Sequence, residues 1–219
     1  MKIVVVSPHL DDETLGAGGF LLKRKSLGDE IYWINVTNIS TDYGYSREYV
    51  DSKEKQISAV NTFFSFEKSF DFQLKPCSLE TLDKNTLIEK FDTCFKDIQP
   101  NWLVLPNPSD AHSDHKIVFE AAMACSKVFR YPYIKKIMTM EILSETDFSK
   151  TGEAFSPNYY VDITDFMGQK LEALKIYDTE IGTHPFPRSL ESVTALATLR
   201  GAASGVKYAE SFKMIKAID

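Results

Sequence analysis

The stretch Lys2-Ile3-Val4-Val5-Val6-Ser7-Pro8-His9-Leu10-Asp11-Asp12-Glu13 carries the first strand and a polar turn with chemistry in it. Ile3–Val6 is a short β-branched run bounded by Ser7-Pro8, which reads as a buried strand. Thr14–Leu27 reads as a helix ended by Gly28, with Leu15, Phe20 and Leu22 available to pack. The same grammar recurs downstream. Trp102–Leu105 reads as a fourth strand, followed by Asn107-Pro108-Ser109-Asp110-Ala111-His112-Ser113-Asp114-His115 and a helix over Ile117–Phe129. Three of the four histidines of the chain fall in these two segments, so the pair stands out from its background.

Between and beyond them the pattern keeps alternating. Ile31–Val36 reads as a strand, Asn38–Tyr45 as a polar loop, Arg47–Phe64 as a helix and Phe66–Leu74 as a third strand. Leu87, Phe91, Cys94, Phe95 and Ile98 keep a helical period that Pro100 stops. Lys136–Leu143 and Tyr159–Ile163 suit further strands, and Asp165–Tyr177 and Ser189–Ala203 later helices. Alternating strands and helices imply an α/β, Rossmann-like three-layer fold with a mostly parallel central sheet, the strand order near 3-2-1-4-5. In such sheets ligands gather at the carboxyl ends of the strands where the order reverses, here between the first and fourth strands. Both histidine-bearing segments leave those two strand ends.

Composition narrows the functional classes. A chain of 219 residues with 43% hydrophobic content builds one domain, or one with a modest extension. A net charge of -6 disfavours a general nucleic-acid binder, which needs excess Lys and Arg against phosphates. Lys23-Arg24-Lys25 is the tight basic run and reads as the solvated face of a helix. Cys77, Cys94 and Cys125 are far apart and read as reduced, mostly buried thiols, neither disulfides nor zinc ligands. No apolar run is long enough for a signal peptide or a membrane span, so a cytoplasmic location is expected.

The residue types suit a hydrolytic metal. Catalytic zinc takes three protein ligands and leaves a position open for water, whose pKa it lowers to about 7. His9 and Asp12 can supply two ligands from one turn, and His115 the third from the facing loop. Asp11 is then a spare carboxylate beside the metal, placed as general base. His112, as a hydrogen-bond donor, can stabilise the oxyanion formed when water attacks an amide. Asp114 can orient His112 or a ligand. Sites of two imidazoles and one carboxylate accept iron(II) as well as zinc. The bland alternative is a helix cap at Asp12 or Thr14 and solvated loop histidines; the coincidence of both motifs at one switch point argues against it.

At these residues the chain resembles the bacterial LmbE-like proteins and the PIG-L N-acetylglucosaminyl-phosphatidylinositol de-N-acetylases. Their hallmark Pro-His-Pro-Asp-Asp-Glu stands here as Pro8-His9-Leu10-Asp11-Asp12-Glu13, and their His-x-Asp-His as His112-Ser113-Asp114-His115. Tyr208-Ala209-Glu210-Ser211-Phe212, with Arg200-Gly201 upstream, looks like the family's C-terminal stretch. The resemblance implies zinc ligands His9, Asp12 and His115, a base at Asp11 and an oxyanion-stabilising His112. It implies a single deacetylase domain over 1–219. Leu10 and Ser113 replace prolines of the motifs without touching a ligand. Many members carry a substrate-binding arginine early in the second helix; Ser52-Lys53-Glu54 occupies the comparable place here, and Arg47, slightly earlier, is the candidate substitute.

His184 lies in the Pro-rich loop Gly182–Ser189, where it can contact substrate at the pocket rim while Arg188 grips a phosphate or hydroxyl; an exposed histidine and a surface arginine explain them as well. Tyr43, Tyr45 and Tyr49 read as a partly exposed aromatic loop, with sugar stacking the alternative. Gly16-Ala17-Gly18-Gly19 does not meet the dinucleotide pattern and reads as close helix–sheet packing. The expected function is therefore removal of an N-acetyl group from an acetamido sugar, or its nucleotide, lipid or glycan conjugate, by zinc-activated water. The alternatives are cleavage of a larger amide of a sugar or thiol conjugate, and a non-catalytic nucleotide-binding module. No nucleic-acid partner is expected, and a homo-oligomer is allowed.

Overall fold

The computed structural model describes residues 1–149 and 154–219. Seven strands form one sheet in the order β3-β2-β1-β4-β5-β7-β6. They are β1 (Lys2–Ser7), β2 (Glu30–Thr37), β3 (Lys68–Leu74), β4 (Trp102–Leu105), β5 (Lys136–Met140), β6 (Tyr159–Asp162) and β7 (Ala209–Ala217). The first five pair in parallel, and β7 runs antiparallel between β5 and β6. The helices are α1 (Asp12–Ser26), α2 (Arg47–Phe64), α3 (Lys84–Ile98), α4 (Ser113–Ala124), α5 (Met167–Leu174) and α6 (Leu190–Ser204).

The β-branched run of β1 is buried on both faces, as a central parallel strand must be. Ile3 and Val5 enter one core with Trp33, Trp102, Met138 and residues of α1, α2, α5 and α6. Val4 and Val6 enter the other, with Ile34, Leu103, Leu105 and the apolar faces of α3 and α4. The two cores are the two interlayer spaces of a three-layer α/β sandwich. Gly16 and Gly19 let α1 come close to the elements beneath it: a Cβ on Gly16 would stand 2.8 Å from the Met140 side chain, and one on Gly19 2.7 Å from Ile163.

Two elements depart from the sequence reading. The α4 helix starts at Ser113, four residues before the first expected residue, and ends at Ala124. Its cap is His112, whose Nδ1 accepts from the Asp114 amide, a role that helix-start rules reserve for Ser, Thr, Asp and Asn. The C-terminal strand β7 carries no strand expectation, because Glu210 and Ser211 lie inside its buried half and hide the apolar pattern. Among the described residues no helix is long and apolar enough to cross a membrane.

Candidate active site

The strand order reverses between β1 and β4, which pair from Ile3↔Trp102 to Val5↔Val104. The turn His9–Asp12 and the start of α4 leave the ends of these strands side by side. Asp11 occupies the cap position of α1 with φ 98, a left-handed conformation whose cost for a non-glycine residue is on the order of 1–3 kcal/mol. Its carbonyl accepts from Thr14 and Leu15, while its side chain makes no capping bond and lines the cleft.

His9, Asp12 and His115 converge. His9 Nδ1 is 3.3 Å from His115 Nε2, His115 Nε2 is 3.4 Å from Asp12 Oδ2, and His9 Nδ1 is 3.7 Å from Asp12 Oδ2. Tetrahedral ligands bonded at about 2.0–2.1 Å stand about 3.3–3.4 Å apart, so this triangle fits zinc. The other ring nitrogens set the tautomers. His115 Nδ1 lies 2.8 Å from Asp110 Oδ2, and His9 Nε2 3.1 Å from Asp114 Oδ2. With each of those nitrogens donating, the two lone pairs face each other across the triangle, an arrangement a cation satisfies and empty space does not. The His9 amide fixes the remaining ligand by donating to Asp12 Oδ2 at 2.8 Å.

The electrostatics point the same way. Burial opposes protonation of His115, but the Asp12 and Asp110 carboxylates overcome it and push its pKa up to about 10. Burial would raise Asp12, yet His115 and then His9 outweigh it and lower it. The site attracts positive charge. Asp11 behaves oppositely: burial first, then the Asp12 charge, raise it well above the ordinary carboxylate range, against the pull of Arg188. His112 is lowered, by burial and then by His9. Since its Nδ1 serves as cap acceptor, the neutral ring carries its proton on Nε2, 3.4 Å from Cys77 Sγ at the cleft wall.

Asp114 is fully buried and holds the scaffold rather than the His112 ring. It bonds His9 through Oδ2 and accepts from the amides of Cys77 (2.8 Å) and Leu79 (3.2 Å), pinning the loop that forms the cleft lip. A second grouping of His9, His112 and Asp114 also lies within metal-binding range, but these atoms are already engaged in those bonds. Glu13 completes the motif as a structural carboxylate, accepting from Ser7, Thr14 and Tyr177.

The cleft holds about 250 Å³. Its outer wall is made by Lys53, Glu180 and Arg188. Lys53 Nζ donates to Glu180 Oε1 at 2.6 Å, Arg188 Nε to the Glu180 carbonyl at 2.9 Å, and Arg188 Nη1 stands 3.9 Å from Asp11 Oδ2. Arg188 thus lines the cleft. Arg47 does not: it pairs with Asp51, is 71% exposed, and borders a separate polar groove. His184 is exposed and lies outside the cleft lining. Of the three tyrosines Tyr49 alone lines the cleft. Cys94 and Cys125 are buried as expected, whereas Cys77 is exposed at the lip.

Sequence reasoning passed over Asp110, Glu145 and Glu180. Asp110 anchors His115 and accepts from Thr146 at 2.7 Å, and Glu145 accepts from the His112 amide at 3.1 Å. Lys53 has a readable signal: it falls in register with Val50, Val60 and Phe64 on the buried stripe of α2, where an unpaired lysine is not tolerated.

Fold and site define an α/β protein with a mononuclear His-Asp-His candidate metal centre at its topological switch point. Residues 4–126 match the family PIG-L: GlcNAc-PI de-N-acetylase, and the chain belongs to that family. It is similar to a diacetylchitobiose deacetylase of Thermococcus kodakarensis, 22% identical over 228 residues, covering 99% of this chain and 84% of that protein. Its fold matches the conserved protein TT1542 from Thermus thermophilus with a TM-score of 0.79 at 21% identity, covering 99% and 96% of the two chains. It also matches GalB, the 4-carboxy-2-hydroxymuconate hydratase of Pseudomonas putida, with a TM-score of 0.75 at 16% identity, covering 100% and 97%. One fold therefore serves two reaction types, and the site has to decide between them.

Proposed function

We propose that this chain is a zinc-dependent N-deacetylase that releases acetate from an acetamido sugar or its nucleotide, lipid or glycan conjugate. The observation that carries the reading is the donor triangle of His9, Asp12 and His115 with the Asp11 carboxylate beside it, outside the triangle and 3.9 Å from Arg188 Nη1. Family membership and the deacetylase activity of the Thermococcus relative support the amide substrate.

His9, Asp12 and His115 would hold the metal, which when bound polarises the amide carbonyl and acidifies water. Asp11, whose carboxyl is raised by burial and by Asp12, accepts a proton from the attacking water. His112 Nε2–H donates to the oxygen that gains charge as the tetrahedral carbon forms. Asp11 then returns its proton to the leaving amine, so that one water and one amide give one acetate and one free amine. Asp114 and Asp110 keep His9 and His115 in the ligating tautomer. Arg188 and Lys53 face the rest of the sugar or its carrier. The unpaired thiols of Cys94 and Cys125 support a reducing, cytoplasmic setting.

The test is an acetate-release screen of acetylated sugars and conjugates with zinc-loaded protein and with protein stripped by chelator. Acetate release that disappears on stripping and returns with zinc is the expected result. Release of a larger acid from a conjugate instead would move the substrate to a larger amide, and turnover unaffected by stripping would remove the metal from the reaction.

A further inference from the structure

Glu210 and Lys170 are almost completely buried, 5% and 3% exposed, far along the chain from the metal motifs and outside the matched family segment 4–126. Glu210 Oε1 and Oε2 accept from the backbone amides of Gly19 (2.8 Å) and Phe20 (2.6 Å), in the middle of α1. In a regular helix those amides serve the carbonyls of residues 15 and 16. Lys170 Nζ instead donates to the Leu15 carbonyl at 2.7 Å, and to Glu210 Oε1 at 2.7 Å. A carboxylate from β7 and an ammonium from α5 thus bond to backbone groups in the middle of α1, which stays one continuous helix from Asp12 to Ser26. The Leu15 amide, on the other side of the same residue, donates to the Asp11 carbonyl at 2.8 Å. A continuous chain of bonds runs from the C-terminal strand to the turn that carries Asp11 and Asp12.

Stability does not call for such a pair, because an apolar pair of similar volume commonly packs as well or better than a buried ion pair. We infer that Glu210 and Lys170 are positioning residues for the metal-binding turn: by gripping the α1 backbone at Leu15, Gly19 and Phe20 they set the direction of Asp11 and Asp12. The inference rests on the metal-centred reading above.

The test uses the full chain, with zinc alone as probe in a chelator competition and steady-state acetate release as a second readout, both well below the thermal midpoint. The apolar double variant Glu210→Met/Lys170→Met removes the side-chain bonds to Leu15, Gly19 and Phe20 and leaves those backbone groups to the helix alone. Expected are a thermal midpoint at or above that of the wild type, zinc affinity weaker by about tenfold or more, and a lower kcat with KM held within about twofold. Wild-type zinc affinity and kcat in a folded double variant would overturn the inference and leave the pair a structural tie. Should the double variant fail to fold, Lys170→Met alone, expected to lower the thermal midpoint because it leaves Glu210 unpaired, is read by zinc affinity and kcat below its own midpoint. A wild-type chain that binds no zinc would refute the metal-centred reading itself, an outcome separate from variants matching a zinc-binding wild type.

Discussion

The two walls of the cleft are built on different plans. On the inner wall each ligand is held by a partner a few residues away or in the facing motif: His115 by Asp110, His9 by Asp114, Asp12 by the His9 amide. On the outer wall Lys53 from α2 and Arg188 from a loop meet only through Glu180, a residue of neither motif. Burial does not separate the walls: Asp12 and His115 are buried and His9 keeps 22% of its side-chain exposure, while Lys53 keeps 5% and Arg188 and Glu180 keep 24% and 25%. On the proposed function, chemistry is encoded locally and specificity is assembled from afar.

Breaking the inner wall should abolish turnover. Asp11→Asn keeps the three ligands and the side-chain volume, so metal content should stay at wild type while kcat falls by about 10²–10⁴, the usual worth of a positioned base. Elemental analysis beside acetate-release kinetics checks both halves, and retained turnover would move the base elsewhere. His112→Ala should lower kcat by about 10²–10³ with KM little changed, since the Nε2–H acts where charge develops. Full activity in that variant would leave the oxyanion to other donors.

Effects on the scaffold should be smaller. Asp110→Asn removes the carboxylate that fixes the His115 tautomer and should weaken zinc binding by about 10–100-fold, read by chelator competition. Wild-type affinity there would assign Asp110 to the fold alone. Arg188→Ala acts on the outer wall and on its 3.9 Å approach to Asp11, away from the three candidate metal ligands. It should leave zinc affinity unchanged and raise KM by about tenfold for the preferred substrate, with the ranking among acetylated substrates altered. A loss of metal in Arg188→Ala would erase the distinction between the walls.

The same contrast governs what can be read from the sequence. The β-branched run Ile3–Val6 and the two histidine motifs announce strand, switch point and a candidate ligand set that the fold brings together, because each signal is contiguous and the sheet topology follows from alternation. The start of α4 is hidden, since a histidine caps it. The β7 strand is hidden too, since its buried half holds the carboxylate that reaches into α1. Arg47 matches by residue type, yet it faces Asp51 and solvent, whereas Lys53, at the place comparable to the family's arginine, lies on the buried stripe six residues on and reaches the cleft. Side-chain direction around a helix decides such cases, and proximity in sequence does not. Asp110 and Glu180 depend on tertiary placement that no local pattern announces.

The measurement that bears most directly on the account is the metal stoichiometry and ligand set of the zinc-loaded chain, by elemental analysis with X-ray absorption at the zinc edge. One zinc per chain with two imidazole nitrogens and a carboxylate oxygen, and none in His115→Ala, is the expected result. Substoichiometric zinc in the wild type, or full zinc retained with an unchanged spectrum in His115→Ala, would contradict it.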